Sequence, residues 1–396
     1  MVSSNKHTYT DIKTILAGKG LDGNSKSWLQ RLEKIRPADV ERALSEPAGS
    51  YNLEKLVALV SPAAEDYLEQ MAQLAHQLTI QRFGRTIRLY APLYLSNYCT
   101  NSCRYCGFNR QHKFDRTRLT IDRALEDAEV IASEGFRDIL LVSSEDRKFI
   151  TVDYLAELAG KLRSRFIRHT CGGFSSISME VYQMSQTEYA ALFKAGIEGV
   201  TLYQETYDRN SYRNYHPGGS KSDYDDRLNT PDRIAAAGMR QIGLGVLLGL
   251  TDWRTETLAL AEHAHYLIKR YWQSYVSFSF PRLRPAHEVE GSQFGHLLSD
   301  KNLVQMITAL RLCFADLGLV LSTREGAGLR DRLINLGITK MSAGSKTNPG
   351  GYSGRSRAVE QFEIDDNRSP AEVAAIIKQA GFEPVWKDWD SAFIGV

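Results

Sequence analysis

The chain changes its hydrophobic rhythm near residue 85. Before that point apolar residues recur at helical spacing: in DYLEQMAQLAHQL, Leu68, Met71, Leu74, Ala75 and Leu78 fall on one face. Residues 1–85 are therefore read as an N-terminal helical extension that packs on whatever follows. From Ile87 onward, short apolar runs alternate with amphipathic stretches about one helix long, the signature of repeated βα units. Strands are predicted at IRLYAPLYL (87–95), DILLV (138–142), SISMEV (176–181), GVTLY (199–203), QIGLGVL (241–247), VSFSF (276–280), VLST (320–323) and KMS (340–342). Helical patterns intervene, among them DRALEDAEVIASEG, TEYAALFKAG, RTETLALAEHAHYLIKRY and KNLVQMITALRLCFADLG. Eight alternating units predict an α/β fold, a closed (β/α)8 TIM-type barrel over residues 86–345. A C-terminal extension over 346–396, rich in Gly, Ser and Asp and then carrying FEPVWKDWD, can fold across a barrel end.

A barrel directs attention to the residues just after each strand, because its active site is built from loops at the strands' C-terminal ends. The loop after the first strand reads Tyr98-CTNSCRYC-Gly107-Phe108, which places Cys99, Cys103 and Cys106 at C-x3-C-x2-C spacing. Three thiolates on one tight loop reach three corners of an iron–sulfur cubane, since soft sulfur ligands match its iron. The fourth iron then lacks a protein ligand and stays open to a substrate or cosubstrate. The alternative is a zinc site with His112 as fourth ligand, although structural zinc usually takes two paired clusters and no second pair is present.

Bulk properties narrow the function classes. With 49 basic and 47 acidic residues the formal net charge is +2, so no basic excess points to nucleic acid. No apolar run approaches a membrane span. The opening MVSSNKHTYTDIKTIL has neither the layout of a secretory signal nor that of a transit peptide. Five cysteines, three of them within eight residues, make a poor disulfide framework, and a reducing cytoplasm is expected.

The cysteine loop, with aromatic Tyr105 just before its third cysteine, resembles the radical S-adenosylmethionine superfamily. PLYLSNYC, ILLVSSE, the Met179-Glu180-Val181 strand, YQETY, SFPRLRP, LSTRE, SAGSKTNPGGY and VWKDWD together resemble the 2-iminoacetate synthase family, the tyrosine lyases of bacterial thiamine biosynthesis, over residues 30 to 392. The resemblance implies a [4Fe-4S] cluster on Cys99, Cys103 and Cys106, whose open iron binds S-adenosyl-L-methionine. It implies cleavage of L-tyrosine to 2-iminoacetate and p-cresol, a flavodoxin- or ferredoxin-type electron donor, and delivery of the product to thiazole synthase. Tryptophan-cleaving relatives are the runner-up. The hydrogenase-maturation tyrosine lyases carry a second, cysteine-bound C-terminal cluster, which is not expected here because no cysteine follows Cys313. A zinc-stabilised binding protein on a barrel scaffold is the non-enzyme alternative.

Residue by residue, the resemblance assigns Tyr105, Glu145 and Glu180 to the cofactor. Glu145 would fix the amino group of the methionyl moiety, although Ser144 stands where relatives usually have glycine, and a solvated loop acid is the other reading. Glu180 would accept hydrogen bonds from ribose hydroxyls, with an ion pair to a barrel arginine as the alternative. Arg324 would hold the carboxylate of the substrate with its planar fork. Tyr94 and Ser342 would complete that amino-acid pocket, with Ser345 close by. Gly243-Leu-Gly245-Val-Leu-Leu-Gly249 is one residue too long for a dinucleotide fingerprint and is read as close packing or an adenine contact. Cys171 and Cys313 are isolated, Cys313 in an apolar helix as a core residue. His263 and His265, two apart on a helix, do not share a face for metal.

Overall fold

The computed structural model describes residues 10–164, 173–354, 356 and 358–387; Cys171 and the last three residues of VWKDWD lie outside them. Eight strands stand where the pattern predicts them: β1 (Thr86–Ser96), β2 (Asp138–Ser143), β3 (Ser176–Glu180), β4 (Gly199–Glu205), β5 (Gln241–Val246), β6 (Tyr275–Ser279), β7 (Gly318–Leu321) and β8 (Lys340–Ser342). Each pairs in parallel with its neighbour, and β1 pairs with both β2 and β8, so the sheet closes into a barrel.

The period of two in β1 explains how one strand serves two environments. Ile87, Leu89, Ala91, Leu93 and Leu95 belong to the core between barrel and helices, while Arg88, Tyr90, Pro92 and Tyr94 face the lumen. In β5, a Cβ on Gly243 would come within 2.5 Å of Thr201 and one on Gly245 within 2.4 Å of the Tyr203 ring. These glycines therefore make room for the inward side chains of β4, which is the close-packing reading of that motif. Low in the lumen, small residues at Ser178, Gly199, Gly243, Ser277 and Gly318 line a cavity of 410 Å³.

Helices start at side-chain caps, which satisfy their first free N–H groups: Thr120, Ser185, Asp252 and Ser299 each accept from the first turn. The N-terminal helices, Ile12–Lys19, Ser25–Leu32, Pro37–Ser45, Leu53–Val60 and Leu68–Phe83, gather around barrel helices Trp253–Arg270 and Asp300–Cys313. Met71, Ala75 and Leu78 are buried there, as their common face requires. Gln305 seals the contact by donating to the carbonyls of Leu59 and Ser61 at 3.0 and 2.8 Å. Cys313 is fully buried in the core. Tyr207 bonds His263 at 2.9 Å, and His265 instead lies against Tyr51, so the two histidines point apart. Among the described residues no helix is long and apolar enough to cross a membrane.

The C-terminal segment holds two elements that the sequence pattern did not suggest. Helix Pro370–Gln379 begins with a capping box between Ser369 and Glu372 and with proline in its first turn. β9 (Glu383–Val385) pairs with Thr86–Arg88 of β1, low on the barrel. Pro384 lacks an N–H, which confines it to an edge, and β9 has β1 as its single neighbour. β7 ends two residues before the predicted boundary because Thr323 leaves the ladder: its N–H donates to Ser342 Oγ at 3.1 Å.

Between β8 and that helix, a buried ion pair fixes the chain. The side chains of Arg330 and Asp366 are fully buried and bonded to each other. Arg330 also donates to the Ser342 carbonyl, and Arg368 bridges Asp366 and Asp331 at 2.7 and 2.8 Å. The N–H groups of Asp365 and Asp366 both donate to the Thr323 carbonyl. Removing one partner of such a pair leaves the other charge stranded. Asp366→Asn, which strands Arg330, is expected to cost about 3–5 kcal/mol in urea unfolding. Arg330→Met should cost less, because Asp366 keeps Arg368.

Candidate active site

Seven of the eight strands, from Tyr94 on β1 round to Ser342 on β8, send residues into one cavity at their C-terminal ends, and Leu247 just past β5 completes the ring. The cysteine loop forms one wall. Cys103 is buried and Cys99 and Cys106 are partly exposed, and all three line the cavity. Arg116 holds the loop folded by donating to the carbonyls of Asn97 at 2.6 Å, Phe108 at 3.1 Å and Asn109 at 2.6 Å. The loop is docked onto the segment after β4, since Ser102 and Arg104 donate backbone N–H bonds to the carbonyls of Gly218 and Tyr215 at 3.0 Å. Tyr105 extends that contact. His216 Nδ1 faces the Tyr212 carbonyl at 2.8 Å and must donate there, so its Nε2 accepts from the Tyr105 hydroxyl at 2.7 Å. Burial holds His216 well below its ordinary pKa, which keeps that neutral tautomer.

Acids line the same cavity. Glu145 is buried, accepting from Arg147 at 2.6 Å and from Asn101 of the cysteine loop at 3.2 Å, so it is not a solvated acid. Ser144 has an ordinary backbone: its hydroxyl donates to the Tyr98 carbonyl and its N–H to the Ser96 carbonyl at 3.2 Å, tying the end of β2 to the approach to Cys99. Glu180 ends β3 with its side chain in the cavity. Among the described residues it has no ion-pair partner. Burial first, then repulsion by Glu205, pushes its carboxyl up to about 7 against the pull of Arg324, Lys221 and Arg227.

Glu205 escaped the sequence reading. It ends β4 at a bulge with φ of 69°, a left-handed backbone rare outside glycine, and pairs with Lys221 at 2.6 Å and Arg227 at 3.9 Å. Its signal was its place in YQETY, an acid at the C-terminal end of a barrel strand.

Arg324, just past β7, lines the cavity and has no ion-pair partner among the described residues. Its guanidinium lies over the Phe362 ring, 3.3 Å from the centroid. Tyr94 is buried, and its hydroxyl donates to Gln361 at 2.7 Å. Ser342 and Ser345 both line the cavity, but the Ser342 hydroxyl already accepts from Thr323, whereas Ser345 Oγ is buried and unpartnered among the described residues. Ser345 therefore offers the free hydroxyl. Phe362, like Gln361, comes from the C-terminal segment and was not foreseen.

The donor set fits a cluster better than a single ion. Among the described residues no group of three His, Cys, Asp or Glu side chains converges on one point as zinc requires. His112 Nδ1 is occupied by the Gly107 carbonyl at 3.1 Å. A cubane instead takes each thiolate on a different iron, from one loop. Burial pushes the Cys103 thiol up to about 12, so it would have to release a proton to serve as a ligand.

A closed parallel barrel with such a loop after its first strand defines a radical S-adenosylmethionine enzyme fold. The radical SAM superfamily profile matches residues 93–261, and that of the biotin and thiamin synthesis associated domain matches residues 279–383. Membership implies a [4Fe-4S] cluster and S-adenosyl-L-methionine. Within that superfamily the chain belongs to the 2-iminoacetate synthase family: it is 45% identical to 2-iminoacetate synthase of Escherichia coli over 362 residues, 91% of this chain and 93% of that protein. It is 29% identical to 3-methylornithine synthase of Methanosarcina acetivorans over 225 residues, 55% of this chain and 60% of that one. The crystal structure of HydG, a maturase of the [FeFe]-hydrogenase, superposes with a TM-score of 0.85 at 31% identity, covering 92% of this chain and 80% of that one.

The Glu180 environment has a measurable consequence. A folded-state pKa near 7 against an ordinary 4.5 means that the native protein holds a proton the unfolded chain has lost between those values. Stability is therefore expected to fall, by about 3 kcal/mol, as pH rises from 4.5 through 7. Urea titrations of wild type and Glu180→Gln, without added cofactor, should show that slope in the wild type and its loss in the variant.

Proposed function

We propose that this chain is a 2-iminoacetate synthase, a lyase that cleaves the Cα–Cβ bond of L-tyrosine to 2-iminoacetate and p-cresol for the thiazole moiety of thiamine. The observation that carries this reading is one cavity lined by both the three cysteines and an arginine with no carboxylate partner among the described residues, in a chain 45% identical to a 2-iminoacetate synthase. Cys99, Cys103 and Cys106 would hold the cluster. With cluster and S-adenosyl-L-methionine bound, that pair supplies a 5′-deoxyadenosyl radical as the hydrogen-abstracting agent.

The chain's own residues bind, orient and shield. Glu145 offers its carboxylate to the methionyl amino group, held in place by Arg147 and Asn101. Glu180 and Tyr105 bound the remaining cofactor space. Arg324 clamps the carboxylate of tyrosine, its fork kept planar to the substrate by the Phe362 ring beneath it. Tyr94 and the free hydroxyl of Ser345, with Ser342 behind it, position the amino-acid head so that its amine faces the site of abstraction. The helical extension over 1–85 and the extension over 346–396 then serve the barrel of 86–345 as a buttress and a cover. The imine product hydrolyses readily, so thiazole synthase is the expected recipient, and a flavodoxin- or ferredoxin-type protein the electron donor.

Anaerobic reconstitution with S-adenosyl-L-methionine, a reductant and either tyrosine or tryptophan tests the assignment. p-Cresol and 5′-deoxyadenosine from tyrosine are expected. Indole products with tyrosine inert would move the chain to the tryptophan lyases, and one bound zinc without 5′-deoxyadenosine would end the enzyme reading. Cys106→Ala should lose the cluster and keep the barrel fold by circular dichroism. Arg324→Gln should raise KM for tyrosine roughly ten- to a hundredfold, the worth of a charged hydrogen bond.

A further inference from the structure

Gln361 joins the two functions of the mouth. Its Oε1 accepts from the Tyr94 hydroxyl at 2.7 Å, and its Nε2 lies 3.8 Å from Cys106 Sγ. The amide has one sensible orientation, because reversing it would aim oxygen lone pairs at a thiolate. Its backbone is held as firmly. Gly107, next to Cys106, donates its N–H to the Gln361 carbonyl at 3.2 Å, and Gln361 N–H donates to the Thr347 carbonyl at 3.0 Å. A Cβ at Gly107 would stand 2.8 Å from the Gln361 carbonyl oxygen, so only glycine admits this approach.

We infer that Gln361 is a positioning residue that couples the substrate-pocket Tyr94 to Cys106 and tunes the donor strength of that thiolate. The inference rests on the reading of Cys106 as a cluster ligand and Tyr94 as a substrate contact. Hydrogen bonds to the sulfur ligands stabilise the reduced cluster, which carries more negative charge, and so raise its potential. A substrate that engages the Tyr94 hydroxyl alters the amide's other partner. Substrate binding is thereby transmitted to the cluster through one side chain, across 255 residues of sequence.

The test is an EPR-monitored redox titration of the reconstituted holoenzyme with S-adenosyl-L-methionine, first without and then with tyrosine. Gln361→Leu should keep four irons and cofactor binding, shift the midpoint to more negative potential, and lose the change that tyrosine produces in the wild-type signal. Gln361→Met, closer in volume, should do the same and guards against a packing defect in the leucine variant. Gln361→Glu should shift further, since a carboxylate then faces the thiolate. Tyr94→Phe, which frees the amide to rotate, should shift less in the same direction. Wild-type midpoints and an intact tyrosine response in both the leucine and methionine variants would overturn the inference. The midpoint read before substrate addition judges the Cys106 contact alone, whereas inert tyrosine in the wild type judges the substrate assignment.

Discussion

The closure of β1 onto both β2 and β8 is the constraint from which the site follows. Because every strand is parallel, closure brings eight carboxyl ends to one rim, and the loop that follows β1 has to cross that rim. β1 is the longest strand at eleven residues, and its lower end is held by β9, so its upper end is a fixed platform. The cysteines leave this platform three residues after Ser96. Their loop need only be folded, not located, and Arg116 folds it by collecting carbonyls from both of its ends.

Charge balance at the mouth is the second condition. Glu145 and Glu205 have their own cations, Arg147 and Lys221, at 2.6 Å each. Glu180 and Arg324 have none among the described residues, yet each feels the other. Both face the cavity without an ion-pair partner among the described residues, so each is left to a ligand.

The sequence made the barrel legible because each strand carries its own period of two between helix-length spacers, and the cysteine loop because its spacing is local. What stayed hidden depends on distant partners. Ser342 and Ser345 look equivalent in a string of residues, and only the Thr323 N–H, brought alongside by the pairing of β7 and β8, commits one and frees the other. Glu205 required a left-handed backbone and a lysine sixteen residues on. β9 is three residues with a proline at its centre, too short for any periodicity to register. The capping box at Ser369 was readable in sequence, by contrast, and marks a helix that composition alone obscured.

The C-terminal segment shows why composition decides little at such places. Its glycines, serines and aspartates leave its path open, and the buried Arg330–Asp366 pair and the bonds from Asp365 and Asp366 to Thr323 pin it one residue from Arg324. With that end fixed, the backbone bond from Gly107 fixes the stretch again at the cysteine loop. Gln361 is itself the second anchor and Phe362 follows it directly, so the backbone that carries both side chains is fixed. The segment thus reaches the cysteine wall through one residue and the arginine wall through the next. A segment held this way sets the geometry of both walls at once, which a flexible one could not do without an added ordering cost.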